Sequence, residues 1–208
     1  MRVLSLLLPL LAALSSVALA QLPEAVLPPG SAPRIFAYTN KEASFYAGVL
    51  NGRNSSGFHG ITREKQKLFE QYWIRIGGEL LDPRTATVTV TPAGFRREYP
   101  LHRTVEEVFF ADSISLLCVI VRTEFRGDVK IYPALSSWWE DATQSRHGDI
   151  YRVFKEGMQG AVMVTGLVGD WDILPPNERE SFENPAPVHM PLLYHGQTTG
   201  TFVFSLGT

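Results

Sequence analysis

The residues best suited to chemistry stand together in Pro133-Ala-Leu-Ser-Ser-Trp-Trp-Glu-Asp141, where Trp138 and Trp139 are followed by Glu140 and Asp141. Aromatic faces give sugars flat apolar contact beside a polar edge. Two carboxyl groups hydrolyse a glycosidic bond when one is protonated, the other is ionised, and the bond lies between them. Glu140 and Asp141 are adjacent, so on a strand they point to opposite faces and make a poor pair for that work. Trp138, Trp139, Glu140 and Asp141 are therefore expected to touch carbohydrate or a neighbouring domain, with one tryptophan packed into the core. No residue is assigned a catalytic role.

Other chemically suggestive stretches have plainer readings. Arg126-Gly-Asp128 has the form of an adhesion motif, but Gly and Asp between two apolar runs are what a hairpin turn requires. Asn54-Ser-Ser56 is a glycosylation sequon in a eukaryotic secretory pathway and otherwise a polar loop between Gly52 and Gly57. The five histidines, at 59, 102, 147, 189 and 195, show no metal-ligand spacing. The sequence carries no nucleophile elbow, no phosphate loop and no cofactor motif. Cys118, the single cysteine, excludes an internal disulfide, and within Ile114-Ser-Leu-Leu-Cys-Val-Ile-Val121 it reads as a buried small hydrophobe.

The elements expected to position these residues repeat with a period near two. Arg34–Thr39, Ser44–Val49, Tyr72–Ile76, Thr85–Thr91, Phe95–Tyr99 and Thr104–Phe110 alternate or are rich in β-branched and aromatic residues. Gly77-Gly78 supplies a tight hairpin, and Pro92-Ala-Gly94 a turn. Ile114–Val121, apolar on both faces, reads as a central strand covered on both sides. Val129–Leu135 follows in hairpin spacing. Ile150–Glu156 and Ala161–Val168 form a pair around Gly157–Gly160, and Thr201–Leu206 reads as the last strand. Asp170–Pro191 is expected to be a long excursion, and only Thr62–Glu70 has a helical look. Short strands at this spacing, with Gly and Pro turns and almost no helix, predict an all-β antiparallel sandwich.

The first twenty residues read as a secretory signal: Arg2, an apolar run to Val17, then Ala18-Leu19-Ala20 before Gln21. Gln21–Pro33, with four prolines, reads as a linker, and 34–208 as the β-sandwich domain. The roughly 188 residues after residue 20 are enough to bury about 70% of their unfolded surface in one core. An exported chain without disulfides fits a bacterial periplasmic or extracellular protein. A formal charge of -2 gives no reason to expect nucleic acid as a partner, and no membrane partner is expected once the signal is removed. The chain stops at Phe204-Ser-Leu-Gly-Thr208, directly after a strand, and is expected to continue into further sequence.

One continuous segment carries a family resemblance. It runs from Phe36-Ala-Tyr-Thr-Asn-Lys41 and Ser44-Phe-Tyr-Ala-Gly48 through Tyr72-Trp-Ile-Arg-Ile-Gly-Gly-Glu-Leu80 and Ala86-Thr-Val-Thr-Val-Thr-Pro92. It continues through Arg97-Glu-Tyr99 and Val105-Glu-Glu-Val108 to Ser115-Leu-Leu-Cys-Val-Ile-Val121. In this order of strands and turns it resembles the N-terminal β-sandwich of bacterial glycogen-debranching-type enzymes, the amylo-α-1,6-glucosidases and their trehalase-like relatives. The resemblance implies a domain of supersandwich type that precedes an α/α six-hairpin barrel, packs on it and shapes one wall of its cleft. In that family the acid and base carboxylates belong to the barrel, so they have no positions here to be carried onto. The implied function is the non-catalytic portion of an exported hydrolase acting on an α-glucan or oligosaccharide. Against it stand a self-contained secreted β-sandwich that binds carbohydrate or protein, and a small enzyme with an unrecognised site.

Overall fold

The computed structural model describes residues 25–39, 44–54, 59–111, 116–175, 188–189 and 192–207. The signal sequence lies outside the described residues. Strands run in chain order as β1 (Ala25–Leu27), β2 (Ile35–Thr39), β3 (Ser44–Val49), β4 (Gly60–Arg63), β5 (Gln66–Ile76) and β6 (Glu79–Leu80). There follow β7 (Thr87–Thr91), β8 (Gly94–Tyr99), β9 (Thr104–Phe110), β10 (Leu116–Thr123) and β11 (Gly127–Ser136). The last are β12 (Thr143–His147), β13 (Ile150–Lys155), β14 (Met158–Ile173), β15 (Val188–His189) and β16 (Leu192–Gly207). Single 3-10 turns occupy Pro83–Thr85, Pro100–His102 and Ser137–Trp139. Among the described residues there is no α-helix, as an all-β sandwich requires.

The strands form one continuous antiparallel sheet that folds back on itself into two layers. The first layer runs β1-β7-β8-β9-β10, then the C-terminal half of β16, the N-terminal half of β14, β13 and β12. The second runs from the C-terminal half of β14 through the N-terminal half of β16 to β11-β5-β4-β3-β2, with β6 added to β5. Only β14 and β16 belong to both layers, and each must bend where it passes from one to the other. Thr198 of β16 pairs with β11, whereas Thr201 already pairs with β10. The pairing with β14 shifts between Thr165 and Leu167 at the same level. Gly166 (φ 84°) and Gly200 (φ 132°) sit at these two corners, in backbone conformations that residues with a Cβ avoid.

A side chain at Gly166 would also place its Cβ 2.8 Å from the Thr201 carbonyl oxygen. Gly166→Ala is therefore expected to cost about 2 kcal/mol or more through left-handed strain and this clash. A urea titration should show a lower midpoint at unchanged slope; an unchanged midpoint would mean that the corner does not depend on glycine.

Ring contacts between the layers mark the core: Phe36 on β2 to Phe95 on β8 (5.0 Å), Tyr72 on β5 to Phe204 on β16 (4.9 Å), and Tyr151 on β13 to Trp171 on β14 (5.5 Å). The alternating burial of β9, where Thr104, Glu106, Val108 and Phe110 face inward, is the period-two pattern of a sheet with one wet face.

Several expectations are corrected by this topology. Thr62–Glu70 is not helical: β4 and β5 pair through it, turning at Glu64 and Lys65, which take positive φ. Within the stretch read as a linker, Ala25–Leu27 adds a strand beside β7. The excursion after Asp170 starts late, because β14 runs on to Ile173, and the last strand begins at Leu192 rather than Thr201. Arg126-Gly-Asp128 joins no hairpin, since β16 lies between β10 and β11 and the segment crosses between layers. Arg126 instead spends Nη1 on the Thr123 and Phe125 carbonyls, with its guanidinium over Gly200. Finally, β10 is central but buried on one face only. Leu117, Val119 and Val121 are inside, whereas Leu116, Cys118 and Ile120 are half-exposed.

Candidate functional site

The tryptophan turn leaves β11 as the 3-10 segment Ser137–Trp139. Trp139 is 0% exposed. Its Nε1 donates to the Leu68 carbonyl (2.8 Å), and its ring fills the space a side chain at Gly160 would take, 3.0 Å from such a Cβ. Trp138 stands edge-on to it (centroids 4.5 Å) and is half-buried. Lys155 holds Trp138 from outside, with Nζ donating to the Trp138 carbonyl (2.7 Å) and lying 5.6 Å from the ring centroid. Glu140 and Asp141 are exposed on the turn that follows. The structure thus brings the four residues onto one turn but leaves only part of Trp138 and the two carboxylates accessible. An open turn offers neither the enclosure nor the fixed spacing that glycoside hydrolysis needs.

A denser cluster of polar chemistry lies inside the sandwich. Arg97 on β8 is directly opposite Glu106 on β9, and both face the core. Arg97 Nη1 lies 3.4 and 3.3 Å from the two carboxylate oxygens, its Nε donates to the Leu50 carbonyl (2.7 Å), and its Nη2 donates to the Val49 carbonyl (3.1 Å). Tyr99 donates to Glu106 (2.8 Å), and Tyr72 donates to the other oxygen of the same carboxylate. Glu106 therefore has all its donors supplied by protein. Because Tyr72, Val49 and Leu50 belong to the second layer, the pair fastens the layers together. Burial, the largest influence, pulls the Arg97 pKa down, but the Glu106 carboxylate and the Tyr99, Tyr72 and Tyr46 hydroxyls together outweigh it, so the guanidinium is held charged. The adjoining cavity is about 40 Å³, with room for water but not for a sugar ring. The arrangement is a clamp rather than a proton-transfer site.

Arg97 and Glu106 lie in strands that carry the family resemblance, and neither is assigned a role from the sequence. The signal was nevertheless present: Phe95-x-Arg97-x-Tyr99 and Thr104-x-Glu106-x-Val108 each put one charge in an otherwise inward-facing set, with opposite signs on consecutive strands.

The buried phenols give a pH prediction. Burial, and then the Glu106 charge, hold Tyr72 and Tyr99 well above the ordinary tyrosine range, and burial raises Tyr46, Tyr151 and Tyr194. These groups keep their protons in the folded state at a pH where the unfolded chain has lost them. Their stabilisation is complete below the unfolded value of about 10 and falls as pH rises beyond it. Tyrosinate absorbance should rise together with unfolding rather than ahead of it; full titration of a still-folded protein would contradict this.

The outer face of the first layer is unlike that of an ordinary wetted sheet. Phe109, Cys118, Ser205, Met163 and Ile150 stand directly opposite one another across five strands. Ile120 and Val203 flank this row on one side, and Leu116, Gly207 and Ala161 on the other. Phe109, Met163 and Phe154 are 37%, 45% and 39% exposed. Both flanking rows end in charge, with Glu107 opposite Ile120 and paired to Arg122, and Arg152 opposite Ala161. Cys118, expected in the core, lies half-exposed in the middle of this apolar band.

No protein-family model matches the chain, and no curated protein matches it. A solved structure of a heparinase III with methylated lysines is similar at 9% sequence identity and a TM-score of 0.46. The match covers 88% of this chain and 35% of that one, so the chain spans about a third of that protein's length.

Proposed function

We propose that the chain is a non-catalytic β-sandwich portion of an exported carbohydrate-acting hydrolase, of the glycogen-debranching type that its sequence resembles. Its work is to pack on a helical catalytic domain and form one wall of that domain's cleft. The observation that carries this reading is the apolar band on the outer face of the first layer. Monomers rarely leave a contiguous apolar patch of this kind in water, and such patches mark interaction surfaces. Five strands about 4.8 Å apart make a band roughly 20 Å wide, which suits two helices lying side by side about 10 Å apart. The Trp138 edge, Glu140 and Asp141 are proposed as a further contact with that domain or with glucan, with Trp139 as their support.

The test is to assay the chain alone on maltodextrins and branched glucan, and to substitute the band. No reducing sugar is expected to be released, and hydrolysis by the chain alone would refute the non-catalytic reading. Phe109→Glu with Met163→Glu is expected to suppress self-association or dye binding while changing stability by no more than about 0.5 kcal/mol per site. A large loss of stability would instead make these residues part of the core.

A further inference from the structure

The sandwich has an open side where β14 leaves the first layer for the second. As far as Met163, β14 has β13 on one side and β16 on the other. From Leu167 to Ile173 it keeps β16 alone, and its other edge meets no strand among the described residues. Gly169, Asp170 and Asp172 are exposed there, and because glycine has no side chain, exposure at Gly169 is exposure of the backbone itself. Val168 and Ile173 add apolar surface, at 83% and 72% exposed. Leu167–Ile173, at about 3.3 Å per residue, makes a free edge roughly 23 Å long. An edge of this length, with alternate N–H and C=O groups turned outward, is a template for another strand.

The outward groups in the middle of this edge are already taken, each by a side chain of the same protein. Trp171 gives its N–H to the Asp170 carboxylate (2.7 Å), and its carbonyl accepts from Arg146 Nη1, which reaches across from β12 (3.0 Å). Two residues earlier, the Gly169 backbone bonds the Tyr194 hydroxyl, which itself donates to Asp149 (2.8 Å). Trp171 is consequently 2% exposed between two exposed aspartates. The ladder with β16 runs unbroken from Leu167 to Ile173 on the opposite side, so Asp170 and Arg146 are not what keeps the strand in its sheet. They fill the side that a further strand would use.

We infer that the free edge of β14 is a strand-addition surface kept shut by Asp170 and Arg146, and that the strand it excludes is the same edge of a second copy. An antiparallel edge is its own complement: turned about a two-fold axis, it offers N–H to C=O in the right order and needs no other sequence. The charges on the strand oppose that pairing as well. With Trp171 on the two-fold axis, Asp170 would face the partner's Asp172, and with Asp170 on the axis it would face its own copy, so like charges meet on neighbouring strands. This edge is separate from the apolar band on the first layer and stays shut whether or not a domain docks there.

The experiment is analytical ultracentrifugation of the chain carrying Phe109→Glu and Met163→Glu, which silences association through the band, with and without Asp170→Ala and Arg146→Met. Adding the second pair is expected to tighten self-association about tenfold or more. Hydrogen exchange should show the Trp171 amide exposed in the dilute variant and protected as copies associate. Asp170→Ala alone, which leaves the Arg146 bond in place, should associate more weakly than the pair. Asp170→Asn keeps an acceptor for the Trp171 N–H and is expected to stay monomeric. Asp172→Ala removes the same charge without touching those hydrogen bonds and is expected to stay monomeric too. The inference is overturned if the paired variant remains monomeric at millimolar concentration, or if Asp172→Ala associates as strongly, which would make charge alone the barrier. Association that leaves the Trp171 amide exchanging freely would overturn it by placing the contact elsewhere. A lowered melting temperature without association would equally overturn it, by assigning Arg146 to tying the two layers together.

Discussion

Arg97→Met is expected to cost about 3–5 kcal/mol and to lower the melting temperature by on the order of 10 °C. Methionine nearly fills the volume of the arginine stem, so the loss is not chiefly one of packing. It comes from Glu106, which is 1% exposed and would keep a negative charge in the core without its counter-charge. The carbonyls of Val49 and Leu50, which accept from Arg97 in the native protein, would also lose their donors. Removing the charge on both strands should recover part of the loss. In Arg97→Met with Glu106→Gln, the amide oxygen can accept from one of Tyr72 and Tyr99 while the amide NH2 donates to the hydroxyl oxygen of the other, and no net charge is left buried. The double variant is therefore expected to be more stable than Arg97→Met alone, a non-additivity that distinguishes an uncompensated charge from a simple cavity. A loss below about 1 kcal/mol for the single variant would mean that water reaches Glu106 and replaces the guanidinium.

What could be read from the residues was the local part of the fold. Gly77-Gly78 does form its hairpin, with both glycines at positive φ, and β7, β8, β9 and β13 lie where alternation and turn residues placed them, whereas β14 runs past both ends of the expected Ala161–Val168. Alternation reports which way a side chain faces, but it does not report which strand lies alongside. That is why β16 was not foreseen between β10 and β11: the pairing joins Val129 to Gly196 and Val121 to Phe202, far apart in sequence. The same limit hid the contact of Arg146 with the Trp171 carbonyl, two groups that meet because β14 turns the corner at Gly166. Thr62–Glu70 misled for another reason. Its Arg-Glu-Lys-Gln run favours helix on propensity, yet Glu64 and Lys65 form the turn and the residues on either side pair as strands. Asn54 stood in the sequence as a sequon or a loop residue, but its amide is buried, accepting from the Val49 N–H (3.0 Å) and donating to the Glu70 carbonyl (2.7 Å). Short polar side chains that knit backbone in this way leave no periodic trace.

The tryptophan pair separates most sharply when the two positions are substituted independently. Trp139→Ala is expected to cost about 3–5 kcal/mol, because it empties a fully buried indole site in a core too tightly packed to collapse around it. Trp139→Phe should cost less, but it still leaves the Leu68 carbonyl without the Nε1 donor, a loss of about 1–3 kcal/mol. Trp138→Ala removes a half-buried ring that lies at the edge of the core beneath the Lys155 ammonium, so its cost should be a fraction of that of Trp139→Ala. The ordering, read from chemical denaturation of the three variants, is the prediction. Were Trp138 the more costly of the two, the turn would be held by its outer ring, and the carboxylates after it would owe their position to Trp138 rather than to Trp139. If the ordering holds, Trp139 acts as a rigid pedestal. Trp138→Ala, Glu140→Gln and Asp141→Asn can then be tested for loss of contact with glucan or with a partner domain in a protein that remains folded.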